Sequence, residues 1–309
     1  MIKLLDSVDI VGKVDTLKSN KDITKDPFTV YLSGIDTSGK VSSKARSDVN
    51  LLVSVNPSTH QILMISTPRD SYVRLPGKDS NDKLTHAGIY GIEESVSTLE
   101  ELYGVDVDYY ARVNFSSFMS IVTALGGVTV DVPKSFCEQN SKRSKKPEDL
   151  ICLKKGKRTL NGEQALAYAR NRHAFASGDL ARGEHQMELL EAIIKKAMSP
   201  AILAKYNSLL SAMEGKVSTN ISSDEIIKFI NKQLKKNTTD WSFASISAKG
   251  KIGTGVCYST GKSRLSIIDL YDTSIEDIKI EIKNLYEGNT DLEEGTSIKS
   301  STTSSLNSN

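Results

Sequence analysis

Residues 28–70, FTVYLSGIDTSGKVSSKARSDVNLLVSVNPSTHQILMISTPRD, decide the fold. Phe28 to Ile35 alternates and is rich in β-branched and aromatic side chains, the pattern of a strand. Asp48 to Asn56 reads as a second strand, halted by the turn signal Asn56-Pro57-Ser58-Thr59. Gln61 to Thr67 reads as a third. The short connections favour an antiparallel meander running up, down and up. That meander would gather Asp36 from the end of the first strand, Arg46 and Asp48 from the start of the second, and Arg69 from beyond the third at one sheet edge. Arg46 and Asp48 are two residues apart and so share a face.

Outward from this core, residues 92–103 carry apolar side chains at helical spacing and stop at Gly104. A strand over 109–113, a helix over 115–125 and a strand over 127–132 follow. Residues 133–157 read as a loop. Helices are expected over 161–170 and about 180–198, with helical stretches at 200–213 and 222–236. Residues 241–270 look like β structure and 274–287 like a final helix. This alternation implies an α/β sandwich around one central sheet. Residues 1–27 read as a linker or the remnant of an accessory domain, 28–287 as the folded domain with a C-terminal extension of the sheet, and 288–309 as a disordered Ser/Thr-rich tail.

The 309 residues are 38% hydrophobic and 25% charged, with a net charge of +2. That balance supplies no basic field for nucleic acid, so any use of positive charge must be local. No apolar run approaches the roughly 18 to 20 residues of a membrane span. The N-terminal MIKLLDSVDIVGKVD places acidic residues where a signal peptide is apolar. Cys137 and Cys152 bracket a lysine-rich stretch. They are either free thiols or a disulfide contributing roughly 3 kcal/mol. Cys257 stands alone, and no spacing suggests zinc.

Two carboxylates brought together, Asp36 and Asp48, repel unless a cation separates them. Magnesium takes one or two carboxylates plus substrate phosphate oxygens. Arginines beside them suit an anionic substrate, because guanidinium forks match phosphate oxygens. Plain Asp–Arg surface pairing is the simpler alternative. A second arginine group lies in 168–186, YARNRHAFASGDLARGEHQ. Arg170 and Arg172 fall at a helix end, where cations suit the negative dipole. Arg182 falls in a first helical turn, where a cation is disfavoured unless an anion binds. Gln186 shares its face. Asp179 also reads as a helix N-cap. Tyr168 and Phe175 read as core, and His173 and His185 as surface or hydrogen-bonded residues.

FTVYLSGIDTSG, ARSDVNLLVSVNPSTHQILMISTPRDSYV, KLTHAGIYG, DYYARVNFSSF, LGGVTVDV, LNGEQALAYARNR and GDLARGEHQ occur in that order over about residues 28–200. Together they resemble the successive blocks of the LytR-CpsA-Psr domain, and most of all its streptococcal CpsA-type capsule-attachment members. Ala45 stands where the family pattern has a serine. The resemblance implies a three-layer α/β/α sandwich with a central mixed, largely antiparallel sheet. It also implies a magnesium-dependent (or manganese-dependent) phosphotransferase that moves a glycan phosphate from undecaprenyl pyrophosphate to peptidoglycan and releases the lipid phosphate. By motif, Asp36 and Asp48 would hold the metal. Arg46, Arg69, Arg170, Arg172, Arg182 and Gln186 would bind the pyrophosphate. Arg46, Arg69, Asp48 and Asp179 would take part in catalysis. Membrane proteins of capsule synthesis are implied as further partners, and nucleic acid is not. Such proteins carry N-terminal membrane helices and work at the outer face of the bacterial membrane, which implies that this chain is a truncated form. Competing readings are a polyprenyl pyrophosphatase, a lipid carrier and a transcriptional regulator of capsule genes.

Overall fold

The structure is a computed structural model that describes residues 19–37, 41–42, 44–171, 179–203, 210–211, 213–236, 241–261, 263–289 and 296–297. Three strands, β1 (Phe28–Ile35), β2 (Ser47–Asn56) and β3 (Gln61–Ser66), form the expected meander. Val30 faces Val53 and Leu51 faces Ser66 in antiparallel register. A hairpin of β4 (Tyr72–Leu75) and β5 (Ser80–Lys83) follows, then α1 (Leu84–Tyr90) and α2 (Ile92–Tyr103). Gly104 ends α2 in the left-handed conformation at φ 63°, which glycine adopts without strain.

Next come β6 (Tyr109–Asn114), α3 (Phe115–Ala124) and β7 (Val128–Val132). The stretch 133–157, expected to be a loop, contains a small hairpin of β8 (Phe136–Glu138) and β9 (Ile151–Leu153) and the start of β10 (Gly156–Leu160). Cys137 pairs with Cys152 across β8–β9, and the two form a disulfide. The capping box of Asn161 and Gln164 then starts α4 (Gly162–Arg170).

Helix α5 (Asp179–Ala197) and a single turn, α6 (Pro200–Leu203), lead to β11 (Ser218–Thr219) and α7 (Ser223–Lys236). The remaining elements are β12 (Ser242–Ser247), the hairpin β13 (Gly250–Val256) and β14 (Arg264–Leu270), α8 (Asp272–Glu287) and β15 (Thr296–Ser297). The central sheet has the order β11-β6-β1-β2-β3-β12-β15. Its pairings are mixed: β6, β12 and β15 join in parallel, and β1–β2, β2–β3 and β11–β6 are antiparallel.

Strand alternation sends neighbouring side chains into opposite layers. On one face Tyr31, Leu52, Leu63 and Ile65 pack with Leu84 and Ala87 of α1, Val96 and Leu99 of α2, and Ile278 and Ile282 of α8. On the other, Val30, Val53 and Met64 meet Leu190 and Ile194 of α5 and Phe229 of α7. Each buried aliphatic side chain contributes about 1.5–3 kcal/mol. The result is a three-layer α/β/α sandwich. A satellite core joins α3, α4 and α5 through Val122, Leu160, Tyr168 and Leu189. Outside the regular elements, Lys21 pairs with Asp108 at 2.8 Å and Ile23 is buried in the second layer. Residues 1–18 of the expected linker and most of the expected tail lie outside the described residues.

Candidate active site at the end of the meander

The site forms where β3 ends and α5 begins. Asp48, Asn50, Ser66, Thr67, Pro68, Arg69, Arg182, Gly183, Gln186 and Ser247 line one pocket. Arg69 comes from the sheet and Arg182 from the helix, 113 positions apart in sequence, so two distant cations share a hollow. Gly183 permits the approach: a Cβ there would stand 3.2 Å from Ser66 Oγ. Arg69 Nη1 donates to Asp48 Oδ1 at 2.8 Å, and its Nε lies 3.6 Å from Asp70 Oδ2. Lys83 Nζ in turn pairs with Asp70 at 2.9 Å. Gln186 Nε2 donates to the Ala169 carbonyl at 3.2 Å, tying α5 to the last turn of α4.

Asp36 lies beside this pocket. It follows Ile35, which pairs with Ser47, so Asp36 and Asp48 flank one rung of the β1–β2 ladder. Its carboxylate is held by Arg143, from the stretch that the Cys137–Cys152 disulfide closes. Arg143 sits at φ 57° in a turn organised by Asn140, whose side chain accepts from the amides of Lys142 and Ser144. Arg170, ending α4, donates to the Asn140 carbonyl at 3.3 Å and stacks over Phe115. Burial and then the charge of Arg143 push its pKa below the ordinary guanidinium value. The site is therefore two linked groups: Asp48, Arg69, Arg182 and Gln186 in the pocket, and Asp36, Arg143 and Arg170 at its flank.

The other expected residues are placed as follows. Arg46 is exposed one position before β2 and does not line the pocket. Arg172, His173 and Phe175 lie outside the described residues, as does the side chain of Asp179, whose backbone opens α5. Tyr168 is buried and bonds Glu188; His185 is buried against it, ring centroids 4.6 Å apart. Burial lowers the His185 pKa. Two residues were missed by sequence reasoning. Arg143 was hidden among the lysines of its loop. Arg112, fully buried, donates to Ser33 Oγ at 3.1 Å and the Ser42 carbonyl at 3.4 Å, beneath the segment leading to Arg46. Its signal was a charge on a strand between Tyr110 and Asn114, both on the same face.

Among the described residues no group of three His, Cys, Asp or Glu side chains is placed to hold a metal ion. Magnesium takes one or two carboxylates and fills its other positions with water and phosphate oxygens, and Asp36 and Asp48 are the two carboxylates that the β1–β2 ladder brings to this end of the sheet. In this state Arg143 and Arg69 balance the two charges. A roomier cleft of about 310 Å³ lies away from this edge, between β4, α2 and α8. Its two cations are paired internally, Arg74 with Glu101 and Lys279 with Glu276, both at 2.8 Å. It has little to offer an anion. No helix among the described residues is long and apolar enough to cross a membrane.

Comparison with known proteins identifies relatives of the chain. The LytR_cpsA_psr family matches residues 6–269. The polyisoprenyl-teichoic acid–peptidoglycan teichoic acid transferase TagT of Bacillus subtilis (strain 168) is 40% identical over 67% of this chain, which spans 64% of that protein's length. The crystal structure of B. subtilis TagV superposes with a TM-score of 0.71 at 29% identity, covering 85% of this chain and 98% of that one. TagT with bound octaprenyl pyrophosphate lipid superposes with a TM-score of 0.63 at 32% identity, covering 89% and 95%. With its family blocks folded around one arginine-lined pocket, the chain belongs to the LytR_cpsA_psr family.

Proposed function

We propose that this chain transfers a glycan phosphate from a polyprenyl pyrophosphate carrier to a hydroxyl of peptidoglycan. The observation that carries the proposal is the shared pocket of Arg69, Arg182 and Gln186 beside Asp48. A pyrophosphate seated there meets guanidinium groups from a strand end and from the first turn of α5, where the helix dipole favours an anion. The names of TagT and its lipid-bound structure point the same way.

Phosphoryl transfer depends chiefly on alignment and charge neutralisation. In the proposed reaction, Arg69 and Arg182 stabilise charge building on the leaving lipid phosphate. Asp48 orients the Arg69 fork, and Gln186 donates to a phosphate oxygen. By motif, Arg46, Arg170 and Arg172 would add further guanidinium donors for the pyrophosphate. The acceptor oxygen bonds to phosphorus as the bond to the lipid phosphate breaks. The acceptor's proton passes to Asp48 or Asp179. Magnesium, held by Asp36 and Asp48, would supply further charge neutralisation.

The test is incubation of the purified chain with a polyprenyl-pyrophosphate-linked saccharide, with and without uncrosslinked peptidoglycan. Transfer predicts that product formation requires the acceptor. Release of lipid phosphate at the same rate without it identifies a pyrophosphatase instead.

A further inference from the structure

Helix α1 is hydrogen-bonded to Arg69 and to the segment that leads into β2. The Thr85 amide donates to the Arg69 carbonyl and the Ala45 amide to the Gly88 carbonyl, each at 2.9 Å. Gly88 makes the second contact possible, since a Cβ there would stand 2.3 Å from the Ala45 carbonyl oxygen. Two residues later α1 ends in Tyr90, whose ring meets Tyr258 at 5.9 Å and 60°. Lys78 Nζ lies over Tyr90 at 4.6 Å. Tyr258 is 48% exposed, with Ile89 and Val256 also exposed, so this is an open aromatic shelf with a cation at its edge.

The shelf is rigidly supported. Tyr258 sits on the β13–β14 turn between Cys257, which is buried, and Ser259, which is exposed. The Ser259 amide donates to Asp82 Oδ2 at 2.7 Å, and its hydroxyl lies 2.8 Å from His86 Nδ1. His86 Nδ1 is 2.6 Å from Asp82 Oδ1, and both side chains are buried. A satisfied buried polar network fixes orientation. Here it fixes the turn that carries a half-exposed surface tyrosine.

The position relative to the sheet indicates the occupant. Helix α1 packs on the face of Tyr31 and Leu52, whereas α5, which carries Arg182, packs on the face of Val30 and Val53. Asp48 and Arg69 stand at the sheet edge between these layers. Attacking and leaving oxygens lie roughly in line through phosphorus. If the lipid phosphate leaves toward Arg182, the incoming hydroxyl arrives from the α1 side. Tyrosine rings offer an apolar face and a polar tip, which suits stacking against a sugar. Lys78 complements the carboxylates of a peptide-bearing strand.

We propose that the Tyr90–Tyr258 shelf is a subsite for the incoming saccharide strand, stacking one of its sugar rings on the α1 side of the pocket of Asp48, Arg69 and Arg182. This rests on the transfer reading given above. The purified chain is assayed with a polyprenyl-pyrophosphate-linked saccharide and soluble uncrosslinked peptidoglycan fragments. Tyr258→Ala and Tyr90→Ala should each raise the acceptor KM about tenfold while donor affinity stays within about twofold. Tyr258→Phe, which keeps the ring, should stay near wild type. An unchanged acceptor KM in both alanine variants overturns the proposal, as does a loss confined to donor affinity, which would place the donor's sugar on the shelf. Saturation-transfer NMR with the peptidoglycan fragments alone separates this proposal from the transfer reading. A sugar-proton signal that is present with the wild type and vanishes with Tyr258→Ala supports the subsite even if no transfer occurs. Absence of that signal in the wild type overturns it.

Discussion

Arg69 Nη1 donates to Asp48 Oδ1 at 2.8 Å between the end of β3 and the start of β2, so a cation of the proposed anion pocket and a carboxylate of the proposed metal site form one unit. Both side chains are partly exposed, so the pair itself adds little to stability. Its value lies in orientation: the Asp48 carboxylate fixes the direction of the planar guanidinium fork.

Arg69→Ala and Arg182→Ala should each reduce transfer about 100-fold, the scale of losing one electrostatic stabiliser. Thermal stability should be little changed. Arg69→Lys keeps the charge but not the fork and should fall between. Steady-state transfer rates check this, and wild-type turnover by either alanine variant would contradict the assignment.

Arg143 holds the Asp36 carboxylate, which the proposed magnesium site would also use. Arg143→Ala should therefore tighten magnesium binding by up to about fivefold, the equivalent of a partly exposed ion pair. Isothermal titration with magnesium measures it. Unchanged or weaker binding would remove Asp36 from the metal site.

Legibility followed local pattern. The alternation of Phe28–Ile35 and the turn at Pro57 exposed the meander, and with it the meeting of Asp48 and Arg69. Arg182 and Gln186 could be paired because about four residues make one helical turn. The β4–β5 hairpin went unread because Ser80–Lys83, SNDK, has no apolar alternation. The β8–β9 hairpin went unread because its three-residue strands flank a lysine-rich stretch. Arg143 reaches Asp36 across 107 positions, through a loop whose path is set by a disulfide and Asn140; no local signal encodes that.

The Cys137–Cys152 bond closes a span of 15 residues and should contribute roughly 3 kcal/mol. Its reduction, or Cys137→Ser, should lower Tm by roughly 5 °C. It should also loosen the turn that presents Arg143. Melting curves with and without reductant test this, and identical curves would contradict it.

Burial pushes the Asp82 carboxyl upward, but hydrogen bonds from His86, Ser259 and the Lys83 amide outweigh it and hold the pKa at about 2. The folded value lies below the ordinary 3.8, so this contribution is complete above that value and fades as pH falls toward about 2. The difference amounts to about 2 kcal/mol. Asp82→Asn should flatten that part of the acid dependence in urea melts taken across this window. An unaltered slope would contradict it.

Titration of octaprenyl pyrophosphate into wild type, Arg69→Ala, Arg182→Ala and the double variant tests the shared pocket most directly. Each single change should weaken binding at least about tenfold, and the double change by less than the product of the two, because both arginines grip one pyrophosphate. Wild-type affinity in either single variant, or strictly multiplicative losses, would mean that the two guanidinium groups do not meet on a common ligand.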